Sequence, residues 1–145
     1  MTKSRQTGVR ERVTVQAGAA TFWRMHPTTI SLASKLALFA ERWSPRVIGE
    51  VNDVQVKVVK LAGAFVWHRH ETEDELFLVV KGRLRMQFRD GEASVGPGEL
   101  IIVPRGVEHL PSAEEETHVL LVEPRSTLNT GDAVSDRTVA TLEHI

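Results

Sequence analysis

The chain has 145 residues, of which 41% are hydrophobic and 26% charged, and its formal net charge is -1 at pH 7. This composition is typical of one globular domain with a substantial core, and it excludes a largely disordered chain. The near-neutral charge argues against a nucleic-acid-binding surface, and the lack of cysteine excludes disulfides and thiolate metal ligands.

The N-terminal segment is polar and basic, so we expect no secretory signal there. No apolar run approaches the roughly 18 residues at which a membrane span is considered, so we expect no membrane segment. Because the chain also lacks cysteine, we predict a cytoplasmic protein.

We predict that residues 1–30 form an N-terminal arm. Residues 1–12 are expected to be a solvated tail because they carry several basic side chains, namely Lys3, Arg5, Arg10 and Arg12. Residues 13–15 and 21–23 are rich in β-branched and aromatic residues, which favour short strands.

Helical periodicity begins near residue 31. Apolar side chains recur at the spacing of one helix face, at Leu32, Leu36, Phe39 and Trp43. Ser31 is suited to the N-cap position, and Pro45 ends the pattern. We therefore predict one amphipathic helix over residues 31–43, with its apolar face packed on the core.

Beyond Pro45, short strands alternate with turn residues. The predicted strands cover residues 47–51, 54–61, 64–70, 75–80, 83–88, 93–95, 100–103 and 117–122. Asn52 and Asp53 are suited to a tight hairpin turn between the first two. Strands at intervals of roughly 8–12 residues predict an all-β sandwich or barrel. The strand pattern fades over residues 125–145, which we expect to strap across the surface or remain mobile.

Three histidines and one glutamate form a candidate metal site. His68 and His70 lie two residues apart on a predicted strand and therefore point to the same side. Glu75 enters the next predicted strand, and His109 follows a turn in a separate hairpin. Three imidazoles and one carboxylate suit a divalent first-row metal, with positions left for water or substrate. The alternative is that these are ordinary polar residues near strand ends.

Strand parity predicts that the wall of the cavity beneath this cluster is apolar. The lining residues expected from parity are Val66, Phe77, Val79, Met86, Phe88, Ile101 and Val103. This set contains no lysine or arginine, which argues against a phosphorylated sugar and favours a small, largely apolar oxygenated ligand. Phe65 and Trp67 are expected on the outer face, where the helix or a second subunit would cover them.

Two segments resemble the signature motifs of the cupin superfamily, G(x)5HxH(x)3-4E(x)6G and G(x)5PxG(x)2H(x)3N. The run from His68 through Glu75 to Gly82 matches the first motif, and the run from Gly98 to His109 matches the second. Two positions depart from the motifs. Gly63 stands one residue too close to His68, and Ala113 replaces the final asparagine. Neither departure removes a metal ligand.

The resemblance spans residues 47–124 and is specific to small single-domain microbial cupins, loosely labelled mannose-6-phosphate isomerase-like. It implies a double-stranded β-helix, or jelly-roll barrel, within a domain formed by residues 31–124, followed by a tail at 125–145. It also implies that His68, His70, Glu75 and His109 are the ligands of one divalent ion: Mn, Fe, Ni, Co or Zn.

Cupins include isomerases, dioxygenases, decarboxylases, lyases, ligand sensors and storage proteins, so the resemblance selects no reaction and no catalytic residue. The intact ligand set favours a small metalloenzyme. The alternatives are a non-catalytic metal or small-molecule-binding protein and a structural module without metal. We expect a small-molecule ligand and a homodimer, with no nucleic-acid or membrane partner.

Overall fold

The computed structural model describes residues 10–14 and 21–145 of the backbone, and side chains from residue 26 onward. The described residues divide into two units, one within residues 10–30 and one formed by residues 31–145. In the first unit, β1 (Arg10–Thr14) pairs antiparallel with β2 (Thr21–Met25). Residues 10–12 therefore lie in a strand, not in the predicted solvated tail. The predicted strand at 21–23 is confirmed, whereas residues 1–9 and 15 lie outside the described part of the chain.

The predicted helix exists but is shorter than expected. Helix α1 covers Leu32–Leu36, and the side chain of Ser31 accepts a hydrogen bond from the backbone amide of Ser34 at 3.3 Å. The helix stops early because the chain turns toward the sheet: Trp43 adopts φ 58°, and its backbone amide donates to the carbonyl of Lys60 at 2.9 Å. Periodicity alone could not reveal this competing backbone partner.

The second unit is an all-β fold, as predicted. Its strands are β3 (Arg46–Val51), β4 (Val54–Ala64), β5 (Glu75–Lys81), β6 (Leu84–Phe88), β7 (Gly91–Val95), β8 (Leu100–Val103), β9 (His109–Pro124) and β10 (Glu143–His144). They form a sheet in the order β10-β3-β4-β9-β5-β8, and β6 joins it by pairing with β9 and β7. The predicted tight turn holds, with Asn52 at φ 55°.

One predicted strand, at residues 64–70, is absent. Strand β4 ends at Ala64, and the following irregular segment touches the sheet through an isolated antiparallel bridge between His68 and His109. The ladder with β9 is already irregular at this point, because its register shifts between Leu61 and Gly63, where Gly63 adopts φ 75°. Strand parity therefore does not apply to the segment that carries the first two histidines.

The hydrophobic core lies on the inner side of the strands. Strand β5 alternates strictly, with Glu75, Phe77 and Val79 buried. The core cluster consists of Val59, Leu61, Phe77, Val79, Leu84, Met86, Val95, Val103, Ala113, Val119 and Leu121. A smaller cluster packs beneath α1 and contains Leu36, Ile48 and Val58. The alternation matters for function because it directs Glu75, at the start of β5, into the interior.

The C-terminal segment straps across the barrel. Its last strand, β10, pairs in parallel with β3, and Thr130 is fully buried. The backbone amide of Asp132 donates to the carbonyl of Arg69 at 3.1 Å, and the Asp132 carboxylate accepts from the Arg69 amide at 2.9 Å. These two bonds fasten the segment to the loop between His68 and His70.

No helix in the part of the chain that the structure describes is long and apolar enough to cross a membrane.

Candidate metal centre

His68 and His109 are brought together by the backbone. The amide of His68 donates to the carbonyl of His109 at 3.1 Å, and the amide of His109 donates back to His68 at 2.9 Å. This bridge joins the irregular segment after β4 to the first residue of β9, and it places the two ring centroids 4.3 Å apart. The sheet itself thus fixes two of the predicted ligands.

Glu75 and His70 complete the cluster. The Oε2 atom of Glu75 lies 3.0 Å from Nε2 of His70 and 3.1 Å from Nε2 of His109. All four side chains are buried, and each offers one ligand atom that lies within 4.8 Å of the other three. The structure therefore brings together the four residues that the sequence predicted as metal ligands, and such a group can hold one ion.

The imidazoles of His68 and His109 are oriented by the same local contact. In each case Nδ1 lies 2.9 Å from the carbonyl of the residue two positions earlier, Val66 and Val107 respectively. Since a carbonyl can only accept, Nδ1 carries the proton and Nε2 keeps its lone pair. Backbone carbonyls of this kind commonly fix metal-ligating histidines in proteins.

Three buried atoms at the centre of the cluster have no hydrogen-bond partner among the residues that the structure describes: Nε2 of His70, Nε2 of His109 and Oε2 of Glu75. They lie at hydrogen-bonding distance from one another, yet their directions do not meet hydrogen-bond geometry. Buried polar atoms without partners are destabilising, by about 1–3 kcal/mol each. A cation placed between them would satisfy all three, so the residues fit a metal ion.

The charge states of the cluster also suit a cation. Burial, together with the neighbouring His109, lowers the pKa of His68 to about 4, so that this imidazole is neutral at pH 7. Burial raises the pKa of Glu75, but contacts with His109 and His70 outweigh it and leave the pKa below its usual range. A neutral imidazole and an ionised carboxylate are the forms that coordinate metals.

A buried ion pair lies behind the cluster, and the sequence interpretation missed it. The Nζ atom of Lys57, on β4, is 2.7 Å from Oε1 of Glu123, on β9, and both side chains are almost fully buried. Burial and the nearby Glu75 raise the pKa of Glu123 well above its usual value, although Lys57 opposes them. Strand parity could have indicated that this pair is buried, because Lys57 lies on the same strand face as Val59, and Glu123 on the same face as Leu121.

The cavity beside the cluster is small and mostly apolar. Its volume is about 40 Å³, and it is lined by Trp43, Pro45, Val59, Leu61, Phe65, His68, Glu75, Phe77, Pro111, Leu121, Glu123 and Asn129. Of the predicted lining set, only Phe77 borders this cavity. Val79, Met86 and Val103 belong to the hydrophobic core, Phe88 and Ile101 pack against that core, and Val66 contributes the carbonyl that holds His68.

Phe65 and Trp67 do not share an outer face, contrary to the parity prediction. Phe65 lines the cavity and stacks on Trp43, with centroids 4.7 Å apart and an angle of 13° between the rings. Trp67 lies beneath the guanidinium of Arg89, 3.9 Å from Cζ to the ring centroid. Both placements arise because residues 65–74 leave the regular strand.

Other acidic and histidine side chains lie apart from the cluster. Glu71 and Asp74 are exposed and form ion pairs with Arg69 and Arg105. His118 contacts Glu116, with 3.0 Å between Nε2 and Oε1.

The fold and the four converging side chains agree with comparisons to known proteins. The Cupin domain family matches residues 56–124, a range that contains all four candidate ligands. A cupin-2 domain containing protein from Shewanella frigidimarina is 48% identical, with a TM-score of 0.66 over 66% of this chain and 94% of that one. The chain belongs to the cupin superfamily. The cupin double-stranded β-helix predicted from the sequence is thereby confirmed.

Two further relatives support the same assignment. Protein NMB1881 from Neisseria meningitidis is 34% identical to this cupin, with a TM-score of 0.62 over 67% of this chain and 99% of the other. The uncharacterized protein YdbB of Bacillus subtilis is 36% identical over 77 residues, which are 52% of this chain and 68% of YdbB.

Proposed function

We propose that this cupin binds one divalent transition metal, Mn, Fe, Ni, Co or Zn, through His68, His70, Glu75 and His109. We further propose that it is a small metalloenzyme of dioxygenase, isomerase or lyase type. The observation that carries the proposal is the set of unpartnered buried atoms on His70, His109 and Glu75, which face one another at 3.0 and 3.1 Å.

The side chains would have different roles at such a centre. When bound, the ion would supply Lewis acidity toward a carbonyl, enediolate or water oxygen. Backbone carbonyl contacts orient the rings of His68 and His109, and Glu75 supplies one negative charge. Phe77, Leu121 and the Trp43–Phe65 pair form apolar walls of the space beside the ligands.

The cavity favours a small oxygenated organic substrate. Hydrophobic side chains dominate its lining, and among the described residues no lysine or arginine borders it. A phosphorylated sugar would require such cations, so the lining disfavours it. A diketone, hydroxy acid or phenolic compound matches the apolar walls better, with its oxygen directed at the four ligands.

A non-catalytic metal or small-molecule-binding cupin, acting as sensor or carrier, is the second candidate. The small volume of the cavity, about 40 Å³, favours the metal-binding form of this candidate, because an organic ligand enters only if lining side chains move. Oxygen-consumption and isomerase assays on metal-loaded protein separate the two candidates. Turnover of any small carbonyl or hydroxy-acid substrate that is lost in Glu75→Gln supports the enzyme, and its absence across a broad panel supports the carrier.

The metal itself is tested by elemental analysis of protein purified without added metal or an affinity tag, followed by thermal unfolding with and without chelator. A metal present at 100 times its dissociation constant should stabilise the fold by about 2.7 kcal/mol. For a domain of this size the melting temperature should rise by roughly 5–10 °C. If chelator leaves the melting temperature of the wild-type chain unchanged, as it should in His68→Ala, the metal site is refuted.

We also propose a homodimer, formed on a different surface from the one expected from the sequence. In the unit of residues 31–145, the outer sheet face carries an apolar row in which Leu76 pairs with Ile102 and Val122, beside a row in which Leu78 pairs with Leu100. Leu100 and Ile102 are 52% and 55% exposed on β8, which lies at the end of the strand order. Such a face at a sheet edge favours self-association.

Analytical ultracentrifugation at micromolar concentration tests the dimer. The wild-type chain should sediment as a dimer and Ile102→Lys as a monomer. Leu38→Lys, which changes an equally apolar side chain that is 65% exposed on another surface, should leave the dimer intact. A monomeric wild-type chain would refute the proposal. The cytoplasmic location stays a prediction, based on the absence of cysteine.

A further inference from the structure

The C-terminal segment places a cation beside two aromatic rings of the cavity wall. The guanidinium carbon of Arg137 lies 5.7 Å from the ring centroid of Trp43 and 5.9 Å from that of Phe65. These two stacked rings line the cavity, and the ring of Phe65 in turn contacts the edge of His68, with centroids 5.5 Å apart. The ring of Phe65 therefore lies near both the Arg137 guanidinium and the imidazole of His68.

Several hydrogen bonds fix Arg137 in this place. Its Nη1 group donates to the carbonyl of Ala64, at the end of β4. The side chain of Asn129, which also lines the cavity, donates to the carbonyl of Arg137 at 2.8 Å and accepts from the amide of Val139 at 2.8 Å. The guanidinium is thus held beside the Trp43–Phe65 pair by a segment that also carries Asn129, a residue of the cavity wall.

Arg137 also differs from most other arginines in having no carboxylate partner within the described part of the chain. Seven of the nine arginines in residues 26–145 form ion pairs: Arg42, Arg46, Arg69, Arg85, Arg89, Arg105 and Arg125. The other exception is Arg83, whose guanidinium donates to Ser94. An exposed guanidinium with spare donors is suited to bind a carboxylate in bidentate fashion.

We propose that Arg137 is the specificity-determining residue for a carboxylate-bearing substrate. The ligand would be a small, largely apolar acid with a carbonyl or hydroxyl oxygen at its other end. That oxygen would point toward the ligand cluster, the hydrocarbon part would lie against Trp43 and Phe65, and the carboxylate would pair with Arg137. This inference rests on the proposed function and narrows its substrate class from oxygenated molecules in general to organic acids.

The test compares 4-oxopentanoate with its neutral methyl ester as probes. Binding is measured by isothermal titration calorimetry on cobalt-loaded protein, and cobalt loading is followed separately by its absorption spectrum. The wild-type protein should bind the acid more tightly than the ester. Arg137→Gln should weaken binding of the acid about tenfold, the value of one charge-assisted hydrogen bond, and leave the ester unchanged. Arg137→Lys, which keeps the charge, should recover part of the loss.

Arg83→Gln is the matched control, because Arg83 also lacks a carboxylate partner and lines a different groove. Its affinity for the acid should equal that of the wild-type protein. Equal binding of acid and ester by the wild-type protein, or equal affinity of the acid for wild type and Arg137→Gln, would overturn the assignment. Failure of cobalt to bind at all would instead refute the metal site, and the probes would then be titrated against the metal-free protein with the same criteria.

Discussion

Acidification should destabilise the metal-free protein through His68. Burial lowers the pKa of this imidazole from 6.5 to about 4, so the folded state resists a proton that the unfolded chain accepts. Above pH 6.5 neither state is protonated and folding carries no penalty. As the pH falls from 6.5 toward 4, the unfolded state binds more protons and the free energy of unfolding declines. A shift of this size corresponds to roughly 3 kcal/mol at 1.36 kcal/mol per pKa unit.

The measurement is urea unfolding in the presence of chelator at a series of pH values between 7 and 4. His68→Gln is the comparison, since it keeps a polar side chain of similar length but does not titrate. The difference in unfolding free energy between the two proteins should change by roughly 3 kcal/mol across this interval. Glu75, whose pKa is also lowered, loses its contribution only as the pH falls below 4.5, and it is common to both proteins. Parallel pH profiles would refute the reasoning.

Three further substitutions probe the ligands, the strap and the buried ion pair. Glu75→Gln should weaken cobalt binding at least about 100-fold in a competition titration, because even outer partners of metal ligands contribute 10–100-fold. Gly131→Ala should destabilise the fold by about 1–3 kcal/mol in urea, since Gly131 has φ 52° and an added Cβ would meet the Arg69 carbonyl. Gly63→Ala should lose less stability, because Gly63 also has a positive φ, 75°, but an added Cβ there would meet no atom within 4 Å. Lys57→Met should lower the free energy of unfolding by about 3 kcal/mol, because it leaves Glu123 unpaired. The double variant with Glu123→Leu should regain most of this stability.

The four candidate ligands could be chosen from the sequence because their spacing survives the loss of regular structure between them. His68 and His109 meet through reciprocal backbone bonds, and Glu75 stands at the first inward position of β5. Strand alternation is reliable at the start of β5 because Glu75, Phe77 and Val79, on one face, are all buried. The spacing of the motif residues thus corresponds to places in the barrel that strand pairing brings together.

The cavity lining could not be predicted in the same way. Parity was extended through residues 64–70, just after the ladder shifts register and Gly63 adopts a positive φ, so Phe65 was assigned to the outer face although it lines the cavity. Trp43 was assigned to a helix although its backbone bonds to Lys60. Both errors arise from long-range backbone partners, which a local pattern of apolar residues does not contain.

The segments that enclose the site are distinct from those that build its ligands. All four candidate ligands fall within residues 56–124, the part of the chain that the Cupin domain family matches. Trp43 and Asn129, which line the cavity, and Arg137, which lies beside Trp43, are outside that range. Since Asp132 and Gly131 pack on the loop between the first two histidines, the C-terminal strap also supports the ligand geometry. The shared core would therefore provide the metal chemistry, and the flanking segments of this chain would decide which molecule reaches it.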